Sequence, residues 1–313
     1  MRPLPEAPDQ RAALPYHQLT SVFHLVDLAD EVNCQPAQRF TLTCAGQGLD
    51  RLPVSENLGW KAARAFAEAT GRELPALHIH IEKHIPPGAG LGGGSTDAAA
   101  VLLLLADACG AGAAPDQPEP QNHYQIKQIA ASLGADVAFF LADSAACLMG
   151  GIGEQLLETL RPAAGTPAVI AWDASAPVST PQVYTAFDQH TAPLDLAGQR
   201  ALVEALSLPA NPEPKCADIE QLGSHLYNNL SVAAFTISPA ARKVHEFLSA
   251  APQTVAAALS GSGGASFALC ASTADRDALA ASVRAAGYAA RATKLTGQTL
   301  IAQLARDQEV GRK

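Results

Sequence analysis

Residues 86–97 read PPGAGLGGGSTD, with glycine at positions 88, 90, 92, 93 and 94. Glycines crowded like this are entropically unfavourable unless the backbone must adopt left-handed conformations or approach something closely. The stretch follows 77–82 (LHIHIE), whose strict alternation predicts a strand. It precedes an alanine- and leucine-rich helix predicted over 96–108 and stopped at Gly110. A glycine loop between a strand and a helix start gathers free N–H groups and the positive end of the helix dipole at one spot. That is an anion site, most naturally for phosphate. Ser95 and Thr96 add hydroxyls, and one of them is expected to cap the helix. A flexible turn with an ordinary serine cap would account for fewer of the glycines.

Two common phosphate motifs do not fit. Gly88, Gly90 and Gly93 satisfy G-x-G-x-x-G, but no strand-end carboxylate lies ~20 residues on, where a ribose would need it. Asp107 falls inside the predicted helix and Asp116 in a proline-rich loop. The Walker A pattern fails because no lysine follows Gly94.

The chain has 313 residues, enough for about two domains of ~100–200 residues. A junction is expected within 156–166, dividing the chain into 1–158 and 159–313. The net charge of −9 argues against a nucleic-acid partner or an anionic membrane surface. The longest strongly apolar run, Ala98 to Ala106, is far short of the ~20 residues that span a bilayer. Residues 1–15 contain Pro3, Pro5, Pro8 and Pro15 and no apolar h-region, so no signal peptide is expected. Six cysteines are scattered singly, which suggests neither a disulfide framework nor a zinc site. The expected location is the cytoplasm. His78 and His80 share one strand face, but His84 sits at the strand's end and nothing completes a ligand set, so no metal ligands are assigned.

Strands are predicted within SVFHLVDLAD, RFTLTCAG and PAVIAWD. Helices are predicted over 57–69, ending before Gly71, and over 124–133 with Gly134 as C-terminal cap. Residues 209–218 read as a loop, and Ser238-Pro239 as an N-cap followed by a first-turn proline. Strands at 254–259 and 266–270 flank a second glycine turn, SGSGG, followed by a helix over 275–286 and a strand over 288–294. Without regular βα alternation, the fold class is α+β.

The string Pro86, Pro87, Gly88, Ala89, Gly90, Leu91, Gly92, Gly93, Gly94, Ser95 resembles the central motif of the GHMP kinases, P-x-x-x-G-L-G-S/G-S/G-S/A. Four further segments resemble that family in the right order. They are Tyr16-His17-Gln18-Leu19, Asn57-Leu58, Leu133-Gly134-Ala135-Asp136-Val137 and Ser260-Gly261-Ser262-Gly263. The resemblance implies a two-domain α+β architecture with the active site in the inter-domain cleft. It implies an ATP-dependent kinase for a small cytidine-diphosphate-linked alcohol, with Mg²⁺ bridging the ATP phosphates. The run from Pro86 to Thr96, with Asn57, would then bind ATP. Asp136, which on composition alone reads as an N-cap for VAFFLAD, becomes the general base. Tyr16 and His17 would meet one face of the cytosine and Tyr184, read as a strand tyrosine following Thr180, the other. Such stacking is worth ~1–3 kcal/mol per base. Gly261, Ser262 and Gly263 would line the substrate site. A homodimer is left open.

The family opens with an A-P-x-K-x-N-L strand. Here no lysine precedes Lys61 and no asparagine precedes Asn33. The expectation is that the first strand, with its lysine and asparagine, is missing. A late start or frameshift, a weakly active kinase, and a nucleotide-binding relative without turnover all remain compatible with that. A kinase for another small alcohol is disfavoured by Tyr16, His17 and Tyr184.

Overall fold

The computed structural model describes residues 19–46, 54–109, 121–161, 163–189, 196–207 and 216–301. The first half runs β1 (Ser21–His24), β2 (Glu31–Pro36), β3 (Thr41–Gly46), α1 (Leu58–Thr70), β4 (Leu77–Lys83), α2 (Gly93–Ala108), α3 (Gln121–Leu133), α4 (Ala135–Phe140), β5 (Ala146–Gly150) and β6 (Gln155–Leu160). The second runs β7 (Pro167–Trp172), α5 (Thr180–Asp188), α6 (Leu196–Ser207), α7 (Cys216–Gly223), α8 (Ser231–Ile237), α9 (Pro239–Ala250), β8 (Thr254–Leu259), β9 (Ser266–Cys270), α10 (Thr273–Ala285) and β10 (Ala289–Lys294). This is the two-domain α+β arrangement expected.

The apolar run at 98–106 becomes the middle of α2. That helix is apolar nearly all round because it is enclosed: Ala98, Ala99, Val101, Leu102 and Leu105 have no exposed surface. They pack with Ala62, Ala63 and Phe66 of α1 and with Ile79 and Ile81 of β4. Truncating one such leucine to alanine typically costs ~2–5 kcal/mol. Among the described residues, no helix is long and apolar enough to cross a membrane. The sheet beneath has the order β2-β4-β3, with β4 antiparallel to β2 and parallel to β3.

In the second half, α9 and α10 cover the antiparallel sheet β10-β7-β9-β8, burying Val244, Leu248, Leu279 and Val283 against Val169, Ala171 and Ala268. A third sheet, β1-β5-β6, closes the first half at Leu160. The end of β1 is joined to the end of β10. Val26 bridges Leu295, the Asp27 N–H donates to the Lys294 carbonyl at 2.8 Å, and the Thr296 N–H donates to the Leu25 carbonyl at 3.0 Å.

Most expected elements are present within a residue or two. The N-cap at Ser238 is as read: its side chain accepts from the Ala241 N–H at 3.2 Å, with Pro239 opening α9. The differences have physical causes. Helix α2 begins at Gly93, three residues early, and Gly92 is its N-cap with no side-chain cap, so neither Ser95 nor Thr96 has the capping role expected. Gly134 is not a left-handed C-cap; with φ 165° it is extended backbone joining α3 to α4. VAFFLAD is mostly helix α4, and Asp136 sits inside its first turn, not at the N-cap. Helix α7 begins at Cys216, within the expected loop at 209–218. Strand β2 (EVNCQP) was not anticipated because it is an edge strand in which Val32 alone, among six residues, is packed on the main core.

His24 ties β1 to the segment between β6 and β7. Nδ1–H donates to the Leu25 carbonyl at 2.8 Å, so Nε2 accepts from the Ala163 N–H at 2.9 Å. The bond to Ala163 requires the neutral ring, and burial, opposed by the Leu25 bond, lowers its pKa below 6.5. With the folded value below the unfolded one, this stabilisation is complete above pH ~6.5 and is lost as pH falls below it. Melting curves from pH 7.5 to 5 should therefore show a stability loss that is smaller in His24→Phe, which starts less stable at pH 7.5.

Candidate active site

The glycine loop occupies 84–92, between β4 and α2. Gly88, Gly90 and Gly92 all have positive φ, at 71°, 74° and 68°. Position 90 shows why glycine is required. A Cβ there would lie 2.8 Å from the Cα of Gly263 and 2.9 Å from the Ser260 carbonyl oxygen. A Cβ on Gly263 would in turn lie 2.5 Å from the Gly90 Cα. The loop of one lobe and the SGSGG turn of the other thus meet backbone against backbone. Ser260 Oγ donates to the Gly90 carbonyl at 3.1 Å, and Ala89 is buried against Ile170 of β7 and Ala265.

Asp136 faces this junction. A Cβ on Gly92 would lie 2.9 Å from the Phe140 ring and 3.8 Å from Asp136 Oδ2. Helix α4 therefore packs its first-turn carboxylate against the place where α2 begins. Burial raises the Asp136 carboxyl above the usual aspartate value, the direction that makes a carboxylate a stronger base. Tyr184 belongs to the same neighbourhood. Its hydroxyl is raised first by burial and then by the negative charge of Asp136. Tyr184 lies on helix α5, not on a strand as read from STPQVY, and its ring packs partly against Val183 and Leu230. The helix had a signal, a proline in its first turn, that the strand reading overlooked.

The turn of the second lobe is itself tied down. Thr180 Oγ1 and Ser262 Oγ are hydrogen-bonded at 2.9 Å, which brings these two expected substrate residues together. Asn228, not singled out in the sequence, spans the turn's base. Its Nδ2 donates to the carbonyls of Leu259 at 3.0 Å and Gly261 at 2.7 Å, and its Oδ1 accepts from the Leu230 N–H at 2.9 Å. Asn57 is engaged locally: it is the N-cap of α1, accepting from the Gly59 N–H at 2.8 Å, and its Nδ2 contacts Cys44 Sγ at 3.1 Å. Tyr16 and His17 lie outside the described residues.

Histidines 78 and 80 are strand residues bonded to threonines: His78 to Thr41 at 2.8 Å and His80 to Thr43 at 2.9 Å. Among the described residues no group of three His, Cys, Asp or Glu is arranged to hold a metal ion. One carboxylate at a helix start with clustered loop amides suits a magnesium ion that arrives on phosphate oxygens and keeps its waters, rather than one held in a protein cage.

A left-handed glycine loop at an uncapped helix start, closed by a glycine turn from a second α+β lobe, defines a class. Family models described as the GHMP kinases N-terminal domain and GHMP kinases C-terminal match residues 57–151 and 204–289. The chain belongs to the GHMP kinases. Within them it is most like 4-diphosphocytidyl-2-C-methyl-D-erythritol kinase. The relative of that name from Mycobacterium marinum is 37% identical over 232 residues, 73% of this chain and 66% of the relative. The one from Caulobacter vibrioides is 32% identical over 274 residues, 85% of this chain and 86% of the relative. A crystal structure of 4-(cytidine 5'-diphospho)-2C-methyl-D-erythritol kinase superposes with a TM-score of 0.67 at 31% identity, covering 90% of this chain and 92% of that one.

The lobe contact makes a sharp comparison between two glycines. Gly90→Ala should lower kcat/KM for ATP by roughly 100-fold, because the loop must move off Gly263. Gly88→Ala, with nothing within 4 Å of the new Cβ, should carry only backbone strain of ~1–2 kcal/mol. Steady-state kinetics on the two variants, with melting curves to confirm folding, checks the difference.

Proposed function

We propose that the protein transfers the γ-phosphoryl group of ATP to the C2 hydroxyl of 4-diphosphocytidyl-2-C-methyl-D-erythritol, a step in the non-mevalonate route to isoprenoid precursors. The observation that carries this is the position of Asp136 beside Gly92, at the start of α2, where the second lobe's turn closes on the loop. The nucleotide-binding part is assigned to 1–158 and the second domain to 159–313. The location assigned is the cytoplasm.

Phosphoryl transfer asks the protein mainly for positioning and charge neutralisation. The amides of the run from Gly88 to Ser95 and the dipole of α2 hold the phosphates. Pro86 and Leu91 shape the ends of that cradle, and Ser95 and Thr96 supply hydroxyls in the first turn of the helix. Asn57, as the cap of α1, supports the nucleotide side. Asp136 accepts the proton of the acceptor hydroxyl as its oxygen attacks the γ-phosphorus, and the bond to the ADP oxygen breaks. Tyr184 stacks on the cytosine from α5, opposite Tyr16 and His17. Thr180, Gly261, Ser262 and Gly263 line the acceptor side. Bound with ATP, Mg²⁺ would neutralise phosphate charge, and Asp136 and Ser95 are the side chains that would hold it.

One assay tests this reading. Purified protein with ATP, Mg²⁺ and the cytidylyl substrate should release ADP in proportion to phosphorylated product. Asp136→Asn should lower kcat by ~10²–10⁴-fold while retaining substrate binding. Because burial raises the Asp136 carboxyl, the acid limb of the wild-type kcat profile should fall above the usual aspartate range. ADP release that is absent while nucleotide binding persists would overturn it.

A further inference from the structure

The glycine loop is held at both ends by a buried cluster that takes no part in the chemistry above. Asp30 precedes β2, Lys83 ends β4 and Asp97 lies in the second turn of α2. Their side chains are 1%, 6% and 3% exposed. Lys83 Nζ donates to Asp30 Oδ2, to Asp97 Oδ2 at 2.6 Å and to the Gly93 carbonyl at 3.3 Å. Asp30 Oδ1 in turn accepts from the backbone N–H groups of His84 at 2.6 Å and Ile85 at 2.8 Å. The first two residues of the loop therefore hang on Asp30, and the first residue after it hangs on Lys83.

Such a cluster is a poor stabiliser. Desolvating one ammonium and two carboxylates is expensive, and buried ion pairs often do no better than apolar residues of the same volume. Asp97 Oδ1 has no hydrogen-bond partner among the described residues. Burial, opposed by Lys83 and reinforced by Asp30, pushes the Asp97 carboxyl up to about 7. What the cluster does that apolar side chains could not do is fix the direction of backbone polar groups. It orients the N–H groups at the loop entry and the carbonyl at the exit. Contacts with the second lobe hold the middle of the loop at Ala89 and Gly90, and the cluster holds its two ends.

We propose that Asp30 and Lys83 are positioning residues for the phosphoryl donor. They clamp the two ends of the glycine loop so that its amides are pre-set for the nucleotide phosphates. The proposal rests on the reading of this loop as the ATP cradle.

Asp30→Ala is the primary test, because it removes the entry anchor and leaves Lys83 paired with Asp97, so no buried charge is stranded. Its KM for ATP should rise by about tenfold or more, the size of one lost charge-assisted hydrogen bond. Its kcat and its KM for the cytidylyl substrate should change by less than about twofold. Asp30→Asn restores an acceptor for the two amides and should recover most of the ATP KM. Amide hydrogen exchange without ligand should speed up at His84 and Ile85 in Asp30→Ala and slow again in Asp30→Asn. A second route, the double variant Lys83→Met/Asp97→Asn, removes the exit anchor without leaving two unpaired carboxylates and should also raise the ATP KM.

A melting temperature that drops while ATP KM and loop exchange stay at wild-type values would overturn the clamp and leave a purely structural cluster. Should the wild type turn over no cytidylyl substrate, the functional reading fails separately. ATP titration and hydrogen exchange on the same variants then still decide the clamp: unchanged ATP affinity and unchanged exchange overturn it.

Discussion

The contact of Gly90 with Gly263 is the constraint on which the rest of the site depends. The two lobes touch there through bare backbone, with Ser260 Oγ bonded to the Gly90 carbonyl. Any side chain would wedge the lobes apart at the point where donor and acceptor must meet. In-line transfer tolerates little misplacement, and a shift near 1 Å is enough to be felt strongly in the rate. Ala89 then acts as a small apolar peg, buried between Ile170 and Ala265, that keeps the loop seated on the second lobe. Asn228 does the equivalent from behind, since its amide holds the carbonyls of Leu259 and Gly261 at the turn's base. Both glycine segments are thus shaped from outside themselves, which is how a flexible composition can form a fixed site.

Helix α2 links that site to the fold. Its N-terminus faces the loop and its body is the most enclosed helix of the first lobe. Val101, Leu102 and Leu105 are completely buried, so packing with α1 and β4 fixes its direction. In the function proposed, the dipole aimed at the phosphates is therefore set by the hydrophobic core. The N-terminus also carries no side-chain cap. A serine or threonine cap would have satisfied helix amides that an anion can otherwise claim. The expectation that Ser95 or Thr96 caps the helix treated the segment as an ordinary helix start. The structure instead begins the helix at Gly93 and leaves that end open toward the loop.

This difference indicates what was legible in the sequence. Local signals read well. The alternation of LHIHIE, the helix opening at Asn57-Leu58, and the Ser238-Pro239 start all appear where expected, because each depends on residues a few positions apart. The glycine loop was legible as a strand–loop–helix segment for the same reason. The cluster beneath it was not. Asp30, Lys83 and Asp97 are separated by 53 and 14 positions, and each read alone is an ordinary surface charge. Strand β2 escaped notice because, although Glu31, Asn33 and Gln35 alternate with Val32, Cys34 and Pro36, Val32 alone is packed on the main core and the run ends in a proline. Tyr184 lies on α5 and not on a strand, its first-turn proline being the signal that the strand reading overlooked.

The charge balance follows from the same geometry. The chain carries a net charge of −9 and yet binds, in the function proposed, a polyanion. No lysine follows the loop's last glycine, and the lysine nearest to the loop in sequence is held inward. Lys83 Nζ is shared between Asp30, Asp97 and the Gly93 carbonyl. It cannot reach a phosphate without abandoning two buried carboxylates, which is strongly unfavourable. Attraction for the nucleotide then draws on oriented amides and the α2 dipole, which act over a turn or so of helix and do not depend on net charge. Such a site draws its selectivity from shape. An anion is held well only where its oxygens match the spacing of fixed N–H groups, so the rigidity of the loop, rather than its charge, determines how well it discriminates.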